Sequence, residues 1–268
     1  MNKQNELVQM NNYSVKKMIF SKPIVSKIPN SQVTYKRIYI NTKNADNTVG
    51  NLILPTADLF SFGINENINP ETQQVSGYVL PLCLWSLATL PEEKAFTDVF
   101  ERIVEHCKKH LVKNREEIGV HDLEMNDLKK FNPLYWRKER GKLVENRGPT
   151  LYTKLNTDKS NKIITPFFDK EGKDVNHLDY QDKYCRVKAA IKIESIYISG
   201  AKIALQVKLY EAEISPLETS RQHKPLLKRR TNAGVLLPSA TQLPLQDSGS
   251  VSASSSEETD NEIEVELE

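Results

Sequence analysis

Between residues 133 and 170 nine cations (Arg137, Lys138, Arg140, Lys142, Arg147, Lys154, Lys159, Lys162 and Lys170) stand against four carboxylates, interleaved with Tyr135, Trp136, Tyr152, Phe167 and Phe168. A single strand of nucleic acid is held by this combination, because cations follow its phosphates while ring faces stack on its bases at ~1–3 kcal/mol per base. The competing reading puts the rings in a core and the charges on a solvated rim. Tyr135 and Trp136 favour the first reading, since they lie in a charged stretch punctuated by Pro133 and Gly141. Phe167 and Phe168 follow Ile163 and Ile164, so at least one of them is expected to be buried.

Other constellations are incomplete. His106 and His110 have the i, i+4 spacing of a helical metal pair, but no carboxylate joins them at the right step and Cys107 between them points to a core. A packed or solvated pair is the expectation, with no metal. No G-x-x-x-x-G-K-[ST], G-x-G-x-x-G or G-x-S-x-G occurs, and Gly141-Lys142 is a lone dipeptide. Asp169, Glu171, Asp174 and Asp179 are mixed with Lys170 and Lys173 in one charged loop, a setting that leaves a two-metal nuclease site built from them open but without support. The chain therefore reads as a non-enzyme without catalytic residues or a cofactor.

Charge is strongly separated along the 268 residues, although the formal net charge is only +2. Residues 247–268 hold eight acidic residues and no Lys or Arg; residues 1–246 hold 37 basic and 27 acidic residues, a formal +10. A basic body with an acidic tail fits a polyanionic partner. Cys83, Cys107 and Cys185 form no C-x-x-C, which leaves reduced thiols in a cytosol-like compartment as the default. Residues 1–10 lack the 7–15-residue apolar run of a secretion signal, and no stretch approaches the ~20 apolar residues of a membrane span.

The elements that must position these residues are mainly β. Residues 1–12 read as a disordered leader. Strand compositions recur at 13–20, 32–40 and 49–54, a loop follows over 56–74, and an apolar strand over 75–87 is interrupted at Pro81. Thr89 and Glu92 fit a capping box, and an apolar stripe from Phe96 to Val112 predicts a helix over 91–115. Strict alternation over 184–198 and 201–214, around Ser199-Gly200, predicts a long hairpin with one apolar face and one face bearing lysines. One nucleic-acid-binding domain thus covers 13–216, and 217–268 is expected to be a disordered tail, basic and then acidic. An elaborated OB-like antiparallel barrel with one amphipathic helix fits this order; a generic α+β domain fits nearly as well.

The runs Gly148-Pro149-Thr150-Leu151-Tyr152-Thr153-Lys154-Leu155, Lys162-Ile163-Ile164-Thr165-Pro166-Phe167-Phe168 and Leu205-Gln206-Val207-Lys208-Leu209-Tyr210-Glu211-Ala212 resemble the single-stranded-DNA-binding proteins of nucleocytoplasmic large DNA viruses, of the asfarvirus and mimivirus type. The resemblance implies an OB-fold core and sequence-independent binding of single-stranded DNA in viral replication, recombination or repair. It implies a host-cytoplasmic viral factory or the virion as location. Binding carries over to Tyr152, Lys154, Lys162, Phe167 and Phe168, while Tyr135, Trp136, Arg137, Lys138, Arg140, Lys142 and Arg147 rest on their own chemistry. RNA remains open as a ligand, and the acidic tail is a candidate contact for replication proteins. A virion or scaffold protein and a metal-dependent nuclease are the alternatives.

Overall fold

The computed structural model describes residues 5–27, 32–69, 72–85, 91–144, 147–200 and 202–217. The capping pair at Thr89 and the tail beyond residue 217 lie outside them. The strands are β1 (Met18–Phe20), β2 (Ile24–Lys27), β3 (Thr34–Lys43), β4 (Val49–Ser61), β5 (Asn65–Ile68) and β6 (Val75–Cys83). Helices α1 (Pro91–Lys113) and α2 (Arg115–Ile118) follow. Then come β7 (Leu134–Tyr135), β8 (Lys138–Glu139), β9 (Lys142–Leu143), β10 (Thr150–Lys154), β11 (Phe167–Phe168), β12 (Cys185–Ser199) and β13 (Lys202–Pro216).

The β12–β13 hairpin organises the sheet. Val187, Ala189, Ile191 and Ile193 alternate with Arg186, Lys188 and Lys192, so one face is buried and the other polar. The hairpin pairs from Cys185↔Pro216 to Ser199↔Lys202. The other edge of β12 meets β4 over Cys185–Ile193 and then β3 over Ser195–Ile198. β13 pairs in parallel with β10 at Lys154↔Lys208, β10 runs antiparallel to β6, and β6 meets β4 at Phe60↔Cys83 and Ser61↔Leu82. The pairings thus return to β12 through β13, β10, β6 and β4, but two of the joints rest on one or two residue pairs. The architecture is mainly β with a mixed sheet, not a regular barrel.

Helix α1 lays Phe96, Val99, Phe100, Ile103, Val104, Cys107 and Leu111 onto the inward faces of the strands. Burial pushes the Cys107 thiol far above its ordinary range. No helix among the described residues is long and apolar enough to cross a membrane.

Several local expectations change. The stretch 56–74 contains the end of β4 and all of β5, because β12 and β6 offer paired edges that local composition does not reveal. β6 runs through Pro81 unbroken; Pro81 falls between the part of β6 paired to β5 and the part paired to β4, where no ladder bond is required of it on that edge. Residues 13–20 form a strand only from Met18. The leader is docked from Asn5 onward: Val8 N–H donates to Ile53 O at 3.0 Å, and Asn5 bonds Asn51 and the Tyr210 hydroxyl.

Candidate nucleic-acid interface

Residues directly opposed across paired strands share a face. Lys154, Lys208 and Lys192 therefore form one row on the polar face, across β10, β13 and β12. Between Ile193↔Val207 and Ser195↔Gln206 the strand β12 carries one extra residue, Glu194, in a bulge. Its carboxylate, only 12% exposed, lies 3.3 Å from Lys208 Nζ, 3.5 Å from Lys192 Nζ and 4.0 Å from an Arg37 nitrogen. Lys154 Nζ donates to Gln206 Oε1 at 3.1 Å. Three cations thus share one carboxylate, with Lys154 beside them. Burial, with repulsion from Lys202, Lys208 and Arg37 only partly offset by Glu194, pulls the Lys154 ammonium down to a pKa of about 8.

Rings flank this cluster. On the β3 side Tyr35 and Tyr197 lie 5.2 Å apart, and the Arg37 guanidinium sits 5.6 Å from the Tyr35 ring centre. On the β10 side Tyr152 and Tyr135 meet edge to face at 6.3 Å. Burial holds the Tyr152 hydroxyl above its ordinary pKa, with Tyr135 and Cys83 adding to the effect. From β10 to β3 the band crosses β13 and β12, a span of ~14 Å at ~4.8 Å per strand, with Tyr135 on β7 beside β10. Tyr35, Arg37, Lys192, Glu194, Tyr197 and Lys208 were not among the sequence candidates; the lysine-bearing face of the hairpin was the signal that pointed to some of them.

Of the sequence candidates, Tyr135, Tyr152 and Lys154 are brought onto this band. Trp136 packs partly on the core, edge to face with Trp85 at 6.2 Å. Arg137, Lys138, Arg140 and Lys142 lie exposed on and beside the β8–β9 hairpin, with Arg137 paired to Glu139 at 3.2 Å. Arg147 is exposed and close enough to Cys83 to act on its thiol. Lys162 is exposed in a turn whose backbone Asp158 holds. Phe168 is partly buried. Phe167 is corrected: alternation in β11 turns it into the core at 3% exposure, and it presents no face to a base.

Two other groups that the sequence singled out are engaged in packing and turns. The Phe20 ring stacks on His110 at 3.9 Å and lies 5.7 Å from His106, and burial lowers the pKa of both imidazoles. Asp169 accepts the backbone N–H groups of Glu171 and Lys173, each at 2.9 Å, within its own turn.

A family model described as a protein of unknown function, DUF2738, matches residues 11–263. The chain is also 30% identical over 191 residues to the Early 31 kDa protein of Frog virus 3 (isolate Goorha), a match covering 70% of this chain and 69% of that protein. The chain is thus a viral protein, of the large-DNA-virus kind, and it belongs to the DUF2738 family.

Proposed function

We propose that this protein binds single-stranded DNA without sequence preference and serves viral DNA replication, recombination or repair. The observation that carries the reading is the band itself: Arg37, Lys192 and Lys208 gathered on Glu194 with Lys154 alongside, between the ring pairs Tyr35–Tyr197 and Tyr135–Tyr152. Such a surface offers phosphates a cationic path and unpaired bases a ring to stack on; a duplex keeps its bases stacked on one another and gains only the first. Stacking is blind to base identity, which gives binding without sequence preference. The circuit of strands supports an elaborated OB-like barrel, a fold whose sheet face holds oligonucleotides. No catalytic or cofactor chemistry is part of the proposal.

The acidic stretch 247–268 adds a regulatory element. Its eight carboxylates compete with nucleic acid for the cationic band at high effective concentration, and once displaced they offer replication proteins a docking segment. Titration of labelled oligo(dT), oligo(U) and duplex DNA, each with and without magnesium, tests the reading. Preference for the single strands without cleavage supports it. Equal binding to duplex points to a scaffold role, and magnesium-dependent cleavage to a nuclease. The oligo(U) arm decides between DNA and RNA, which differ at the 2′-hydroxyl.

A further inference from the structure

Away from the cationic band, three rings form a second surface cluster. Phe60 and Phe62 meet edge to face at 5.2 Å, and Tyr184 lies 5.6 Å from Phe60 and 6.0 Å from Phe62. Tyr184 is 61% exposed, and both phenylalanines are partly exposed. A core does not need such a cluster, and a solvated surface disfavours it.

The local structure holds these rings in place. Ser61 Oγ donates to the Pro81 carbonyl at 2.6 Å and accepts the Gly63 N–H at 3.2 Å, which fixes the end of β4 against β6. Gly63 has φ +92°, and a Cβ there would overlap the Lys183 backbone. Only glycine allows residues 62–64 to close on the 180–184 segment, where Ile64 N–H donates to Tyr180 O and Asp182 N–H to Ile64 O, both at 3.0 Å. That approach brings Phe62 beside Tyr184.

The register connects the cluster to the band. Phe60 on β4 is directly opposed to Cys83 on β6, Cys83 to Thr150 on β10, and Thr150 to Tyr135 on β7. These four side chains form one outward row, alternating with the buried row Ser61, Leu82, Leu151 and Leu134. The two middle residues are small, so the row is a low floor between rings at both ends, ~14 Å apart at ~4.8 Å per strand. Arg147 supplies a cation beside this floor at Cys83.

We infer that Phe60, Phe62 and Tyr184 form a second base-stacking subsite, reached from Tyr135 and Tyr152 along the Cys83–Thr150 floor, which extends the track of a bound single strand around the sheet. The inference rests on the reading of the band as a single-strand site. It commits to one occupant, the continuation of the same nucleic acid, because the row is continuous in register with the band and Arg147 gives it a phosphate partner.

The test is an oligo(dT) length series, from 4 to ~16 nucleotides in keeping with the footprints of single OB folds, on the full chain, on Phe60→Ala/Tyr184→Ala, and on Tyr184→Ala alone. The single variant removes a mostly exposed ring and guards against misfolding, which a thermal melt checks. Both variants are expected to bind the shortest oligomers as the full chain does, yet to lose at least roughly fivefold of the affinity gained on lengthening, the equivalent of one lost stack. Unchanged length dependence in Tyr184→Ala and in the double variant overturns the subsite and leaves the band standing. Failure of the unaltered chain to bind any length overturns the band as well.

Discussion

Lys154 and Lys208 occupy directly opposed positions on the parallel strands β10 and β13, two like charges side by side on one face. Such pairs destabilise a sheet by ~0.2–1 kcal/mol. Here the arrangement is reinforced by Arg37 and Lys202, both of which further disfavour the Lys154 ammonium. A surface that accumulates repulsion in this way suits a polyanion that removes it.

Stability and binding should respond to pH in opposite directions. The Lys154 pKa is about 8 in the folded chain against an ordinary 10.5, so between these values the unfolded chain holds a proton that the folded chain has shed. Stability therefore rises as pH goes from 8 to 10.5. A phosphate beside Lys154 favours the charged form, so affinity for oligo(dT) should be level below pH 8 and fall above it. Lys154→Met should raise the melting temperature at pH 7, by the equivalent of ~1 kcal/mol, weaken binding and flatten both profiles. Melting and titration at pH 7, 8, 9 and 10 check this; a variant with wild-type profiles would remove Lys154 from the account.

Glu194 holds the cations in place while subtracting from their charge. Glu194→Gln should lower stability by about 1–3 kcal/mol, as expected when a mostly buried charged partner is removed, yet tighten oligo(dT) binding at low salt. Chemical denaturation and titration of one preparation separate the two effects. Weaker binding by a folded Glu194→Gln protein would mean that its ordering of Arg37, Lys192 and Lys208 outweighs its charge.

Rings of the band and rings of the core should differ in what they affect. Tyr152→Ala and Tyr35→Ala should each cost ~1–3 kcal/mol of binding with little change in melting. Phe167→Ala should cost about 3–5 kcal/mol of stability and leave the affinity of the remaining folded protein unchanged. A binding defect confined to Phe167→Ala would place the track elsewhere.

Deletion of residues 247–268 should strengthen binding to oligo(dT), most at low salt, because screening at 0.1 M already acts over ~10 Å. Melting should stay nearly unchanged. Equal affinities at low ionic strength would assign the acidic stretch to solubility or to partner proteins alone.

The helix and the hairpin could be read from the sequence because each carries its own periodicity: the stripe from Phe96 to Leu111, and the alternation either side of Gly200. The ends of β4, the whole of β5 and the path of β6 through Pro81 depend on partners distant in the chain, which local composition does not encode. The site divides in the same way. Tyr135, Tyr152 and Lys154 were visible as part of a dense basic and aromatic run, whereas Tyr35 and Arg37 join Tyr197 and Lys208 only through pairing of β3, β12 and β13. Tyr197 is outward because the one-residue bulge at Glu194 reverses the phase of the strand beyond it, which no alternation pattern announces.

The most direct measurement is the salt dependence of oligo(dT) affinity for the full chain and for Arg37→Gln/Lys154→Gln/Lys208→Gln, alongside a duplex of equal length. Tight single-strand binding is expected, with a log–log slope of roughly −2 to −3, at ~0.7 per phosphate neutralised. The triple variant should bind far more weakly with a slope nearer zero, and the duplex more weakly than the single strand. A triple variant that is folded and binds oligo(dT) with wild-type affinity and slope would contradict the reading of the band as a single-strand site.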